Sequence, residues 1–290
     1  RCSAVDCDHH PGRATGIVHY GTRFVAAYGW GAAGSVRRSD DARAWETTLS
    51  GPTFGGIASG GGHVLLGSRE PMISSDAASW SSAGMPSLAA WNVRRTGFVD
   101  VAGGRFLLVA EDARESDLAI SDGSGMWWSP SVFPSECGQA IQNDGGIGRA
   151  GDAMVIIGGD GVACRSTDGG ATWSATSIGS SITSRVVEVD GTSWVWGGGR
   201  RFTSTDGARW TATPIVPADI TIGAVARSPS GTFVAVNGGW DQWYERQRFY
   251  RSEDGVRWTE LGPARYEGSH PIAGIAYGEV DASVCAEPPG

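Results

Sequence analysis

Several stretches of the 290-residue sequence carry residue types that move protons or grip a charged ligand. Asp144, Asp241 and Glu245 are carboxylates of the kind that work in pairs, one as acid and the other as base or nucleophile. His270 and Tyr244 are suited to take a proton from a carbon beside a carboxylate that an arginine has neutralised. Arg13, Arg94 and Arg95 offer planar guanidinium forks for such a carboxylate. Trp30, Trp91, Trp240 and Trp243 offer flat aromatic faces. The densest group is the run 238–248, where Trp240, Asp241, Gln242, Trp243, Tyr244 and Glu245 are consecutive. Aromatic faces stack on the C–H groups of a pyranose while charged neighbours hydrogen-bond its hydroxyls or carboxylate. The plainer reading of this run is a loop that folds over its neighbour and buries its rings.

Metal chemistry is less well served. Asp6, Cys7, Asp8, His9 and His10 are competent ligands, but adjacent histidines diverge on an extended chain. The loop 111–117 offers Ca²⁺ some carboxylates, yet its arginine compensates part of the charge and the spacing is not that of an EF-hand. A solvated loop is the expectation there, and no cofactor is expected.

What must position these residues is legible in a repeat. Arg165-Ser166-Thr167-Asp168-Gly169-Gly170-Ala171-Thr172-Trp173 is one copy. Others are Ser39 to Trp45, Ser74 to Trp80, Ser121 to Trp127, Ser204 to Trp210 and Ser252 to Trp258. Their aspartates stand at Asp41, Asp76, Asp122, Asp168, Asp206 and Asp254. A short Asp hydrogen-bonds the backbone of its own turn, and Gly supplies the positive φ that a tight hairpin needs. The Trp that follows returns along the next strand and buries a large ring, so all six turn tryptophans are expected in the core. Steps of this length in a Gly-rich chain mean repeated β units, as in propeller blades.

The pattern Ser-x-Asp-x-Gly-x-Thr-Trp resembles the Asp-box, or BNR, repeat. The copy at 166–173 matches it throughout, whereas those at 39–45 and 74–80 lack the Gly, and in the copy at 120–127 the Ser is displaced by one place. The resemblance implies an all-β, Asp-box β-propeller made of four-stranded antiparallel blades. It implies no single activity, because Asp-box propellers include sialidases, other glycosidases, polysaccharide lyases, sorting receptors and assembly factors. The sialidase reading is set aside, since no Arg-Ile-Pro occurs in the sequence.

Paired apolar runs precede most boxes, for example 16–20 with 24–28, 98–102 with 106–110 and 223–226 with 233–236. They read as the first two strands of a blade, the box joining the third to the fourth. A further apolar run at 272–277 has no box. It favours seven blades, the last completed by residues around Ser3–Cys7, with six blades as the alternative. The whole chain, 1–290, reads as a single domain closed by pairing of its two terminal segments. The first-to-second turns and the boxes then lie on one rim. The longer connections, including 86–96, 133–145, 238–248 and 263–271, lie on the other, and long loops on a rigid scaffold usually carry function. Aligning the first strands places Arg13, Phe54, Arg95, Asp144, Arg185, Thr221 and His270 around that rim.

A formal charge of −8 and the absence of a basic run argue against a nucleic-acid partner, and no apolar run has the length of a membrane span. All 23 basic residues are Arg, which removes Schiff-base chemistry. Five cysteines without Cys-x-x-Cys spacing read as disulfides of an exported protein, whether secreted, periplasmic or held at the cell surface. Cys137 and Cys164 can pair, and Cys2 or Cys7 with Cys285 would join the termini. The expected protein is a monomer that recognises or processes a glycan, or else a protein-binding scaffold.

Overall fold

The computed structural model describes residues 13–30, 34–51, 54–68, 70–84, 92–101, 103–111, 116–131, 137, 146–238, 248–263, 272 and 274–280. Short alternating runs broken by turn residues leave each segment only two to eight residues for a strand, and these pair with their sequence neighbours as antiparallel hairpins. Blade 1 holds β1 (Arg13–Tyr20), β2 (Arg23–Trp30), β3 (Gly34–Ser39) and β4 (Glu46–Gly51). Blade 2 holds β5 (Ile57–Gly60), β6 (His63–Leu66), β7 (Met72–Ser74) and β8 (Ser81–Ser82). Blade 3 holds β9 (Asn92–Val99), β10 (Arg105–Glu111), β11 (Ser116–Ser121) and β12 (Trp128–Ser131). Blade 4 holds β13 (Gly146–Ala150), β14 (Ala153–Ile157), β15 (Val162–Ser166) and β16 (Ser174–Ser177). Blade 5 holds β17 (Val187–Val189), β18 (Thr192–Gly197), β19 (Arg200–Ser204) and β20 (Thr211–Pro214). Blade 6 holds β21 (Ile222–Arg227), β22 (Phe233–Asn237), β23 (Arg248–Ser252) and β24 (Thr259–Pro263).

The fold is thus an all-β propeller with six four-stranded blades among the described residues, and the seven blades favoured from the sequence are not found. The run 272–277, expected as a further first strand, joins no ladder. A strand exists only through partners, and the segments expected to pair with it lie outside the described residues. The 274–278 stretch instead lies against blade 1. A methyl group on Gly278 would stand 2.1 Å from the His19 ring and 2.6 Å from Phe24.

The core lies between blades, because each twisted sheet can cover its faces only with its neighbours. Blades 1 and 2 enclose Val25, Val36, Phe54, Ile57, Val64 and Leu66. Leu65, Ile73 and Phe106 meet between blades 2 and 3, and Val109, Ile120, Met154 and Ile156 between blades 3 and 4. Val155, Ile157, Val195 and Phe202 fill the next joint. Trp196, Phe233, Tyr250 and Trp258 fill the one between blades 5 and 6. Inner strands approach so closely that a Cβ on Gly97 would lie 2.6 Å from Ile147. Cys137 and Cys164 form a buried disulfide, Cα to Cα 5.9 Å, that ties the blade 3 to blade 4 connection onto β15. The other three cysteines lie outside the described residues.

The aspartate turns close the third and fourth strands of every blade. In five of them a buried Ser donates to the Asp carboxylate, at 2.8–3.2 Å. That carboxylate then accepts backbone N–H groups further along the turn, such as Ala208 and Arg209 on Asp206. The indole N–H of Trp45, Trp128, Trp173, Trp210 and Trp258 donates to the carbonyl three residues earlier. Those carbonyls belong to Ala42, Gly125, Gly170, Gly207 and Gly255, each of which has positive φ. The constant spacing therefore runs from the positive-φ residue to the Trp, not from the Asp to the Trp.

This geometry corrects the third turn. Its ring is Trp128, half-buried beside the core of blades 2 and 3, and not Trp127, which is 77% exposed. Asp122 and Gly125 are one residue further apart than Asp168 and Gly170, so the turn's Trp falls one place further along the chain. Among the other turn tryptophans only Trp258 is fully buried. Trp80, Trp173 and Trp210 are half-buried against inter-blade clusters, and Trp45 is half-buried as well. Indoles also staple blades together. Trp80 donates to the Thr48 hydroxyl at 3.2 Å, and Trp173 to the Ser131 hydroxyl at 3.0 Å, both on the preceding blade.

Candidate functional site at the loop rim

The six turn aspartates are engaged by their own backbone. The Thr172 hydroxyl and N–H, with the Ser166 hydroxyl, hold the Asp168 carboxyl down to about 2. Backbone N–H groups of Ser79 and Ala78 hold Asp76 well below the usual carboxylate range, and those of Arg209 and Ala208 do the same for Asp206. Asp41 is lowered chiefly by the N–H groups of Arg43 and Ala44, and Asp122 chiefly by the Ser124 hydroxyl. At Asp254 burial pushes upward, but the N–H groups of Arg257 and Val256 outweigh it. A displaced acidity marks a functional candidate only when its cause is a cleft or a charge partner. Here the cause is turn formation, which marks these carboxylates as scaffold and leaves the opposite rim for a ligand.

There Arg185 stands at the entrance to blade 5. The Ser184 hydroxyl is buried and accepts the Trp196 N–H at 2.8 Å. The Thr183 hydroxyl donates to the Ile222 carbonyl of blade 6 at 2.8 Å. Gly146 lets the chain come in close, since a Cβ there would lie 2.7 Å from the Val186 nitrogen. Pinned in this way, Arg185 remains exposed, and its Nη2 donates to the Thr15 carbonyl of blade 1 at 3.4 Å. The side chain thus runs from the fifth blade to the first across the loop end of the inner strands. A guanidinium in that place can bind a carboxylate or sulfate through two parallel hydrogen bonds.

The sequence candidates distribute unevenly. Arg13 and Trp30 are backbone partners at the loop end of blade 1, where β1 begins and β2 ends. Arg94 and Arg95 were expected in a loop and are instead in β9, Arg95 opposite Val109. The cause is the partner strand: β10 runs seven residues, and its outer end needs the chain back to Asn92 for pairing. Phe54, placed at the rim by alignment, is buried between blades 1 and 2. Arg185 and Thr221 do stand at inner-strand entrances. His270, Tyr244, Glu245, Asp241, Asp144, Trp91, Trp240 and Trp243 lie outside the described residues, as does the His9–His10 stretch. Among the described residues no group of His, Cys, Asp and Glu is placed to hold a metal ion, and no helix is long and apolar enough to cross a membrane.

The sequence matches no family model and no curated protein. Its fold is shared with solved structures. One is a virginiamycin B lyase from Staphylococcus aureus, 12% identical, with a TM-score of 0.66, covering 93% of this chain and 91% of that one. Another is YCF48 bound to D1 peptide, 12% identical at a TM-score of 0.60, covering 90% and 88%. A GH74 xyloglucanase from Xanthomonas campestris is 16% identical at 0.52, covering 72% of this chain but 37% of its own. At such identities the likeness is one of architecture alone.

Proposed function

We propose that this protein is an exported, monomeric propeller that recognises an anionic glycan at its loop rim. The observation that carries the reading is Arg185, exposed and reaching from blade 5 to the Thr15 carbonyl. It is supported by the sequence, which puts Arg13 at the start of β1 and an aromatic and acidic run at 238–248 between β22 and β23. In this reading the arginines grip the carboxylate, and Trp30, Trp91, Trp240 and Trp243 stack on sugar rings. If the bound chain is also cut, His270 or Tyr244 takes the proton in a lyase. In a hydrolase, two of Asp144, Asp241 and Glu245 serve as acid and base. The buried disulfide suits an oxidising compartment. The extended stretch at 274–278, laid on blade 1, supports a single ring closed between the ends of the chain.

The test is a binding and turnover screen against uronate-containing and sulfated polysaccharides, with neutral ones as controls. Arg185→Gln should weaken binding of the acidic chains by about tenfold or more, the value of one charge-assisted pair. Equal binding by Arg185→Gln, or no acidic ligand at all, overturns the reading. A second reading, peptide recognition at the same rim, is favoured by the shared fold of a propeller bound to a peptide. Binding of acidic peptides but not of glycans would select it.

A further inference from the structure

The stretch 274–278 rests on blade 1 in the way that β5 rests on blade 3. Gly56 and Gly60 stand four residues apart at the two ends of β5. A Cβ on Gly56 would lie 2.9 Å from the Thr96 nitrogen, and one on Gly60 would lie 2.1 Å from the Phe98 ring. Gly274 and Gly278 have the same spacing. A Cβ on Gly274 would lie 3.5 Å from Ile17, and one on Gly278 would lie 2.1 Å from Cδ2 of His19. The receiving residues are spaced alike, Thr96 and Phe98 on β9 against Ile17 and His19 on β1. The rings behind them match as well. Phe98 meets Phe106, its pairing partner on β10, edge-on at 4.9 Å and 65°. His19 meets Phe24, its pairing partner on β2, edge-on at 5.0 Å and 66°. One joint therefore holds an imidazole where the other holds a phenyl ring.

The two rings differ in one chemical respect, since an imidazole takes up a proton in mild acid and a phenyl ring does not. An imidazolium donates from both nitrogens and needs an acceptor or water at each. Nε2 of His19 is buried and has no hydrogen-bond partner. The stretch itself helps to seal it, for a Cβ on Gly278 would stand 2.7 Å from that nitrogen. Titratable groups lie on the elements packed here, but none gives Nε2 an acceptor. On β1, the Tyr20 hydroxyl donates to the Gly62 and Ser75 carbonyls. On β2, Arg23 pairs with Asp40, and Arg13 and Tyr28 stand at the opposite, loop end of the same hairpin. β5 carries none, and His63 beside it is turned to the Gly61 carbonyl at 3.0 Å. Within 274–280, the Glu279 carboxylate accepts from the Tyr277 hydroxyl at 3.3 Å. A cation formed with the stretch in place would be buried at Nε2 without an acceptor, which is costly, whereas lifting the stretch admits water.

We propose that His19 makes the seat of residues 274–278 on blade 1 an acid-sensitive clasp. While the ring is neutral, the stretch stays seated as β5 does on β9. A proton added at Nε2 is satisfied by water that enters once Gly278 has lifted, so acid favours the open form. The joint of Gly60 with Phe98 has no such group and stays shut. In mild acid the propeller loosens where 274–278 meets blade 1 and stays whole between blades 2 and 3.

The experiment compares the full chain with His19→Phe, which copies Phe98, and with His19→Gln, which is polar but takes up no proton. Limited proteolysis after Glu279 is followed by mass spectrometry at about pH 7.5 and about pH 5.5, on either side of the range in which histidines titrate. Comparing proteins at one pH cancels the protease's own pH dependence. At the higher pH the parent and His19→Phe should be cut at similar rates. At the lower pH the parent should be cut about tenfold faster than either variant, the effect of one pH unit of proton uptake by the open form alone. Equal cutting of all three proteins in acid overturns the proposal. So does acid-accelerated cutting that persists in both variants, which would assign the opening to other groups. A second measurement needs no variant. In NMR spectra of the parent, the amide signals of 274–280 should change as the His19 imidazole titrates, and titration without that change also overturns the proposal.

Discussion

The two rims of this propeller use charge in opposite directions. On the turn rim, six carboxylates face inward on their own backbone, each answered by N–H or hydroxyl donors within a few residues. On the loop rim, the exposed Arg185 reaches across the inner strands, and its guanidinium donates to the Thr15 carbonyl at 3.4 Å. Strongly lowered acidity is therefore a signature of scaffolding here. The carboxylates best supplied with donors are those least available to a substrate, because every donor that stabilises the anion also occupies its lone pairs.

That contrast can be broken at several points. The largest effect is expected where a loop-rim connection is tied to the core. Replacing Cys137 and Cys164 with Ala removes a cross-link spanning 27 residues and should cost about 3 kcal/mol in urea unfolding. A loss under about 1 kcal/mol would mean the connection is held by other contacts. Next comes Gly255→Ala. Gly255 has φ +65°, and a Cβ would sit 2.8 Å from Trp194 and 3.1 Å from Trp196, whose indole donates to the Gly255 carbonyl. Strain and overpacking together should cost about 2–3 kcal/mol. Unchanged stability would show that the turn is softer than its hydrogen bonds suggest.

Acid should read out the turn carboxylates directly. Asp168 ionises at about 2 in the fold, against an ordinary 3.8 in the unfolded chain. A lowered folded value means that its stabilisation is complete above about pH 4 and is lost as pH falls through 2. Asp168→Asn should therefore lower the melting temperature at pH 7 and flatten the decline between pH 4 and pH 2. A parallel decline in both proteins would refute the assignment. The smallest effect is a gain. Ala42 occupies, at φ +59°, the place held by Gly207 and Gly255 in later turns. Ala42→Gly should stabilise by about 0.5–1 kcal/mol, measured by chemical denaturation, because it relieves left-handed strain at a half-buried site.

Much of the scaffold was legible because its cause is local. Ser166, Asp168, Gly170 and Trp173 lie within eight residues, and their turn closes with little help from the rest of the chain. The strand pairs at 16–28 and 223–236 could be seen for the same reason, since hairpin partners are sequence neighbours. The third turn was misread because the eye counts from Asp to Trp, while the fold counts three residues from the positive-φ position. A search on Gly-x-x-Trp would have selected Gly125 and Trp128. Arg94 and Arg95 looked like loop residues because nothing in 86–96 announces how far β10 extends.

By itself, then, the sequence determined the repeat unit, its antiparallel hairpins and the aspartate turns, because each depends on interactions spanning fewer than about twenty residues. Only the tertiary structure decided the count of six sheets, the outward ring at 127 and the reach of Arg185 to a carbonyl 170 positions away. Those outcomes depend on which blade lies beside which, and on whether a slot is already filled when a side chain arrives. No local pattern encodes such competition for space.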